Sequence, residues 1–206
     1  MKNLILYLFL LGPSFVFAQF GIKAGFNWVN VTDAEDVNND ATSGWHAGIF
    51  IAGSYKTVLA NRTELVYSKQ GYDYHTATNT GTVNLEYLTW PQYLAINITK
   101  FVQVHAGMQL AYLLSAKVDS TTTTGDPATD DIINIMNRFD YGLGGGLEVH
   151  PLQSLVVGAR INVGLTSLYK IPEEGEEISF VPTVDLKSNL FQLYAGYKFG
   201  KKEAKE

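Results

Sequence analysis

Residues 101–116 read FVQVHAGMQLAYLLSA, a stretch in which apolar and polar positions alternate. One set of positions carries Val102, Val104, Ala106, Met108, Leu110, Tyr112 and Leu114. The other set carries Gln103, His105, Gly107 and Gln109. Because the side chains of a β-strand point alternately to its two faces, this period of two predicts a strand between two unlike environments.

Further segments repeat this alternation along the whole chain. They are residues 20–29, 44–54, 62–71, 83–96, 138–149, 155–166 and 189–199. With 101–116 they make eight segments, which predict an all-β fold of eight antiparallel strands. In 83–96 the alternation places Leu85 and Tyr87 on the apolar face and Glu86 opposite, and the two faces become less distinct around Trp90 and Pro91.

The connections between these segments alternate between long and short. The long ones are polar and include VTDAEDVNNDATS (31–43), residues 72–82, TTTTGDPATDD (121–131) and IPEEGEE (171–177). The short ones are YKTVLAN (55–61), NITK (97–100) and HPLQS (150–154). Long loops at one end and short turns at the other are typical of an up-and-down transmembrane β-barrel.

A soluble barrel with an apolar interior would show the same alternation of residues. The positions of the glycines favour a membrane barrel instead. They share the polar face at Gly25, Gly48, Gly107, Gly142, Gly144, Gly146, Gly158, Gly164 and Gly196. On a face exposed to water they would weaken the strands. Inside a narrow barrel they make room for large neighbours such as Arg160 and Tyr194.

Aromatic residues mark both ends of the predicted strands, as expected at two membrane interfaces. Toward the long loops lie Trp28, Trp45, Tyr67, Tyr87, Tyr112 and Tyr141, and toward the short turns lie Phe20, Phe101, Tyr197 and Phe199. The apolar face ending at Tyr197 and Phe199 resembles the C-terminal recognition strand of outer-membrane proteins. The resemblance implies outer-membrane lipid and the barrel assembly machinery as partners.

The first residues predict a secretory signal peptide. Lys2 precedes an apolar run from Leu4 to Leu11, and the segment ends at Ala18, where a cleavage site is expected. The run is too short for a spanning helix, although a retained N-terminal anchor is the alternative. We therefore expect a cleaved signal peptide (1–18), a barrel (19–200) and a charged periplasmic tail (201–206).

Composition argues against several functions. A net charge of −5 disfavours nucleic acid, whose binding needs clustered positive charge. The histidines are scattered over different strands and loops, so we expect no metal site. GLGGGL (142–147) lies inside a predicted strand and is no dinucleotide-binding loop. His46 could lie near Ser43 or Ser68, but no spacing in the sequence indicates a catalytic pair. We therefore expect no cofactor and no enzymatic activity.

The interior of an eight-stranded barrel is filled by side chains rather than by a channel. The alternation predicts a polar network in the half of the lumen nearer the short turns, formed by Lys23, Glu64, His105, Glu148, Arg160 and Lys198. Buried charges must be paired, and the pair closest in sequence is Glu148 with Arg160.

A filled lumen places recognition of any protein or surface ligand on the long loops. Residues 117–137 form the longest connection, and Ile132, Ile133, Ile135 and Met136 favour contact with a partner. The alternatives are that this loop only shields the surface, packs on the barrel rim or dips into the lipid boundary.

Several stretches in order resemble the PorT-like outer-membrane β-barrel family of Bacteroidota. They are GIKAGFN (21–27), HAGIF (46–50), ELVYSKQG (64–71), LEYLTWPQYL (85–94) and the glycine-rich sixth segment. The resemblance implies an outer-membrane location in a Gram-negative cell envelope and, for the namesake, a part in protein secretion and surface maturation. It carries over no catalytic residue.

Three functions remain open at this point. The first is a structural, assembly or secretion-related barrel of the outer membrane without catalytic activity. The second is a surface-exposed barrel that binds a ligand or partner with its long loops. The third is a lumenal ligand carrier or an enzyme, a class that includes a soluble lipocalin-like carrier with its apolar faces pointing inward.

Overall fold

The computed structural model describes residues 19–32, 42–54, 57–75, 79–122, 127–170 and 187–199. The predicted signal peptide (1–18) and tail (201–206) lie outside the described residues, as do parts of the long loops. Within the described part of the chain, no helix is long and apolar enough to cross a membrane. The described residues are almost entirely strand.

The strands form one antiparallel sheet. They are β1 (Gln19–Thr32), β2 (Thr42–Ala52), β3 (Leu59–His75), β4 (Asn79–Asn97), β5 (Val102–Thr122), β6 (Pro127–Asp131), β7 (Phe139–Leu152), β8 (Leu155–Gly164) and β9 (Lys187–Phe199). β1 pairs with β9, and β4 pairs with β5, so the sheet closes on itself. The short β6 pairs only with one end of β5. The predicted eight-stranded up-and-down barrel is therefore confirmed, with β6 added beside it.

The register of the ladders keeps the two faces apart. In the β1–β2 pair, Lys23 lies opposite Gly48 and Ile22 lies opposite Ile49. Lys23 is 3% exposed whereas Phe26 is 63% exposed, so the polar face points into the barrel and the apolar face points outward. A slip of one residue would exchange the two faces, and this strongly specifies the register.

Two glycines allow large interior rings to lie against the barrel wall. Gly107 on β5 lies opposite Tyr93 on β4, and Gly25 on β1 lies opposite Tyr194 on β9. A Cβ atom on Gly107 would lie 2.0 Å from the carbonyl oxygen of Gln92 and 2.8 Å from the Cα of Tyr93. Only glycine permits this close approach of the two strands.

The sequence prediction was wrong about which face of β4 points outward. Leu85 and Tyr87 point into the barrel, where Tyr87 is 4% exposed, and Leu88 and Trp90 point outward. The β4–β5 register shifts between Glu86 and Tyr87. The interior is apolar at this level, so hydrophobicity does not mark the outward face. Tyr87 is therefore not a membrane-interface aromatic.

Three strands are longer than a membrane crossing requires. β3, β4 and β5 contain 17, 19 and 21 residues, against roughly nine to eleven for a tilted crossing. Residues 72–82, predicted as a loop, mostly continue β3 and β4 up to the pair His75–Thr80. We call the projecting parts, residues 71–75, 79–84, 117–122 and 127–131, the protruding sheet.

Candidate functional site

Charged side chains from four strands meet in the half of the lumen nearer the short turns. We call Lys23, Arg62, Glu64, Glu148 and Arg160 the ionic cluster, and each of them is buried. Glu64 accepts hydrogen bonds from the Nζ of Lys23 at 2.8 Å and the Nε of Arg62 at 2.5 Å. The guanidinium of Arg160 donates to both Glu64 oxygens, at 2.8 and 2.9 Å. One carboxylate therefore binds three cations.

Glu148 has a different partner from the one the sequence predicted. Its carboxylate binds the Nη1 of Arg62 at 2.6 Å and accepts the hydroxyl of Tyr194 at 2.6 Å. Arg160 reaches across the lumen to Glu64 and also donates from Nε to His105 Nε2 at 3.0 Å. The predicted pair of Glu148 with Arg160 was wrong because a long arginine side chain spans the narrow lumen.

Aromatic rings cover the cations of the ionic cluster. The guanidinium of Arg62 lies 4.2 Å from the ring centre of Phe50, and that of Arg160 lies 4.2 Å from Tyr93. The Nζ of Lys23 lies 4.0 Å from the ring centre of Tyr194. A ring face attracts a cation, and the attraction grows when water is excluded.

Lys198 and His150 lie closer still to the short turns. The Nζ of Lys198 is 3.2 Å from His150 Nδ1, and His150 Nε2 is 3.8 Å from a Glu148 oxygen. Sequence reasoning named Lys198 but missed Arg62 and His150. Arg62 lies on the same face of its strand as Glu64, and His150 lies on the same face as Glu148. Since both glutamates were predicted to point inward, the alternation also predicts inward positions for Arg62 and His150.

A layer of uncharged polar groups lies above the ionic cluster. Asn27 Oδ1 is 2.8 Å from His46 Nδ1 and accepts the amide of Gln192 at 3.0 Å. Asn162 donates to Gln192 at 3.1 Å and accepts the hydroxyl of Tyr93 at 2.7 Å. These bonds link five strands across the lumen at mid-height.

An apolar group closes the long-loop end of the barrel. We call Ile132, Met136, Leu168 and Tyr169 the outer plug, and all four are buried against inward residues of the barrel wall. Met136 and Tyr169 form a β-bridge, and the hydroxyls of Tyr72 and Tyr169 share a hydrogen bond. Asn137 donates from its backbone to Leu168 at 2.9 Å.

The outer plug corrects the sequence interpretation of residues 117–137. Ile132 and Met136 are buried inside the barrel mouth, and Ile133 and Ile135 pack partly buried against the same group. These apolar residues serve the interior rather than a partner. Burial of their apolar surface stabilises this position, because the barrel wall is apolar at the long-loop end.

We expect Met136→Ala to lower the free energy of unfolding by about 2 to 3 kcal/mol, because it leaves a cavity in the outer plug. Met136 is 0% exposed. Met108→Ala is the matched control, since Met108 points outward from β5 and is 59% exposed. Urea unfolding of the folded barrel in lipid vesicles measures both. Equal effects of the two substitutions would show that the plug does not contribute to stability.

A small cavity of about 20 Å³ lies between apolar and polar side chains of the barrel wall. Its lining includes Gln70, Tyr87, Gln109, Asp140 and Asn162. This volume holds about one water molecule. In the described part of the chain, no group of three or more His, Asp or Glu side chains is arranged to hold a metal ion. Within the described residues, the outer plug and the ionic cluster occupy the lumen at two levels.

Most of the predicted interface aromatics lie on the outward face. Trp45 contacts Tyr67 with 5.4 Å between ring centres, and Tyr112 contacts Phe139 at 5.0 Å. Phe199 contacts Tyr197 at 5.3 Å at the opposite end. Trp28 and Tyr141 also belong to the outward set of their strands. Contact of these rings with the membrane interfaces stays a prediction.

A closed barrel with apolar residues outside and polar residues inside has the architecture of a transmembrane β-barrel. Residues 16–170 match the family described as outer membrane protein beta-barrel domain, and the chain belongs to this family. Its location is the outer membrane. The soluble carrier considered from the sequence is thereby excluded.

Solved structures show the same fold at low sequence identity. Ail, the attachment invasion locus protein of Yersinia pestis, solved with the heparin analogue sucrose octasulfate, is 14% identical, with a TM-score of 0.54 over 89% of this chain and 100% of Ail. Neisserial surface protein A is 12% identical, with a TM-score of 0.50 over 88% of this chain and 99% of that one. None of the curated proteins compared matches the chain.

Proposed function

We propose that the protein is a non-catalytic, non-conducting barrel with a structural or assembly role in the outer membrane. The filled lumen carries this proposal. A solute would have to displace the outer plug, with Met136 and Tyr169, and then the ionic cluster, in which Glu64 binds three cations. Function is therefore exercised at the surfaces of the barrel rather than through it.

The finer parts of this role follow from the sequence. In our proposal a Gram-negative cell exports the chain, removes residues 1–18 and inserts the barrel with its assembly machinery, which engages the strand ending at Phe199. The short turns face the periplasm, as in other outer-membrane barrels. The resemblance to PorT-like proteins supports a secretion-related task for the assembled barrel.

Recognition by the protruding sheet is the second candidate, and the length of β3, β4 and β5 favours it. This sheet presents both signs of charge, with Lys117 opposite Asp131 and Asn84 donating to Asp119 at 2.9 Å. Ail, of similar fold, was solved with the heparin analogue sucrose octasulfate. A partner or surface ligand would accordingly be recognised outside the membrane.

Removing residues 73–82 and joining the strands by a tight turn separates the two candidates. We expect the shortened protein to assemble in the outer membrane and to keep a heat-modifiable gel mobility, because the ladders between β3, β4 and β5 continue below the cut. A structural role predicts that the envelope phenotype of a deletion strain is restored. A recognition role predicts that only ligand or partner binding is lost. Failure of the shortened chain to assemble would contradict both.

A further inference from the structure

The lumen near the short turns contains more buried positive than negative charge. Among the described residues there, Lys23, Arg62 and Arg160 are buried together with the carboxylates Glu64 and Glu148. Among these described residues, three cations less two carboxylates leaves one positive charge in excess. Asp140 is remote, since it precedes Glu148 by eight residues on β7, or about 26 Å along a strand.

Three buried donors among the described residues of this region have no hydrogen-bond acceptor. One is His105 Nδ1, because His105 Nε2 accepts a hydrogen bond from Arg160, and the other two belong to Arg62 and His150. Arg62 uses Nε for Glu64 and Nη1 for Glu148, and its Nη2 has no partner. His150 Nδ1 lies 3.2 Å from the Nζ of Lys198. An ammonium only donates, so Nδ1 is the acceptor and the hydrogen of neutral His150 is on Nε2. That Nε2 also has no partner.

The unpartnered donors of Arg62 and His150 lie beside the same carboxylate, that of Glu148. Arg62 Nη1 is 2.6 Å from a Glu148 oxygen, and His150 Nε2 is 3.8 Å from a Glu148 oxygen, beyond hydrogen-bond distance. Buried N–H groups without an acceptor are costly, and here the cost adds to that of the excess charge. One acceptor that carries a negative charge would lower both costs.

A cavity lies beside His150 at the short-turn rim. It has a volume of about 160 Å³ and is lined by Lys100, Phe101, His150 and Gln153. Lys100 is exposed, so a cation lies at the mouth of the cavity. No carboxylate lines the cavity among the described residues. A cation at the mouth and a buried imidazole behind it favour a negatively charged occupant.

We propose that a small monovalent anion of halide size binds at the short-turn end of the lumen, beside Arg62 Nη2 and His150 Nε2, and reaches this site through the cavity at Lys100. The anion accepts a hydrogen bond from each of these two nitrogens and offsets excess positive charge. A water molecule accepts the hydrogens but leaves the charge unchanged. The site is independent of the role proposed for the whole barrel.

Crystals of the folded barrel grown in sodium bromide test the position directly. We expect an anomalous peak within hydrogen-bond distance of Arg62 Nη2 and His150 Nε2. Density at this place without anomalous signal, at a bromide concentration that saturates other sites, would show a water molecule and overturn the proposal. This arm needs only the wild-type protein.

Unfolding in lipid vesicles tests the same site in solution. At constant ionic strength, bromide should stabilise the wild type relative to gluconate, because an anion that binds only the folded state raises its stability. His150→Phe keeps a ring but loses the donor, and we expect about tenfold weaker bromide binding. Lys170→Gln, at the long-loop end, is the control and should bind as the wild type does. Equal stability of the wild type in the two salts would contradict the proposal.

Discussion

Glu64→Gln is expected to lower the free energy of unfolding by about 3 to 5 kcal/mol, the usual cost of removing one partner from a buried ion pair. Glu64 binds Lys23, Arg62 and Arg160 within 2.8 Å. The glutamine keeps the size of the side chain but loses its charge, so three buried cations are left with Glu148 alone. Urea titration of the barrel refolded in vesicles, followed by tryptophan fluorescence, measures the change.

The control for this substitution is Asp119→Asn, which removes an exposed carboxylate from β5 and should cost less than about 1 kcal/mol. Replacing both members of a pair, as in Glu64→Leu with Arg160→Met, should recover part of the stability lost in Glu64→Gln, because fewer unpaired charges remain buried. An effect of Glu64→Gln no larger than that of Asp119→Asn would mean that the ionic cluster is open to water.

Gly107→Val is expected to destabilise the barrel by about 3 kcal/mol, at the upper end of the cost of overpacking. A Cβ atom at this position would lie 2.0 Å from the carbonyl oxygen of Gln92, which belongs to the backbone and is unable to move aside. The β4–β5 ladder would have to separate where Tyr93 packs against the wall. The fraction of protein that shows heat-modifiable mobility after refolding reports the loss.

Ala106→Val is the matched control, because Ala106 is the neighbouring residue on β5 and points outward. A branched side chain that faces lipid suits a strand, so we expect folding close to that of the wild type. If Gly107→Val refolds as efficiently as Ala106→Val, the interior of the barrel is wider than the close contact of Gly107 with β4 implies.

Alternation predicted the strands and their faces well because each face of a barrel strand has a constant environment over most of its length. Lys23, Glu64, Glu148 and Arg160 were all placed inward by parity alone. Arg62 and His150 follow from the same parity and were overlooked. Periodicity therefore identifies which residues share the lumen, although it does not specify which of them form pairs.

Two features of the structure do not follow from the periodicity of the sequence. The interior changes from polar to apolar toward the long loops, so the hydrophobic side of β4 at Leu85 and Tyr87 is the inward side. Ile132 and Met136 lie outside any regular strand, and only the three-dimensional position of Leu168 and Tyr169 shows that they close the barrel mouth. Both features depend on contacts between segments distant in sequence.

Single-channel recording tests most directly whether ions cross the barrel. Wild-type protein, shown to be folded by its heat-modifiable mobility, is added to a planar lipid bilayer in potassium chloride. We predict no stepwise increase in current, because the outer plug and the ionic cluster fill the lumen at two levels. Reproducible current steps from the folded wild-type barrel would contradict this account.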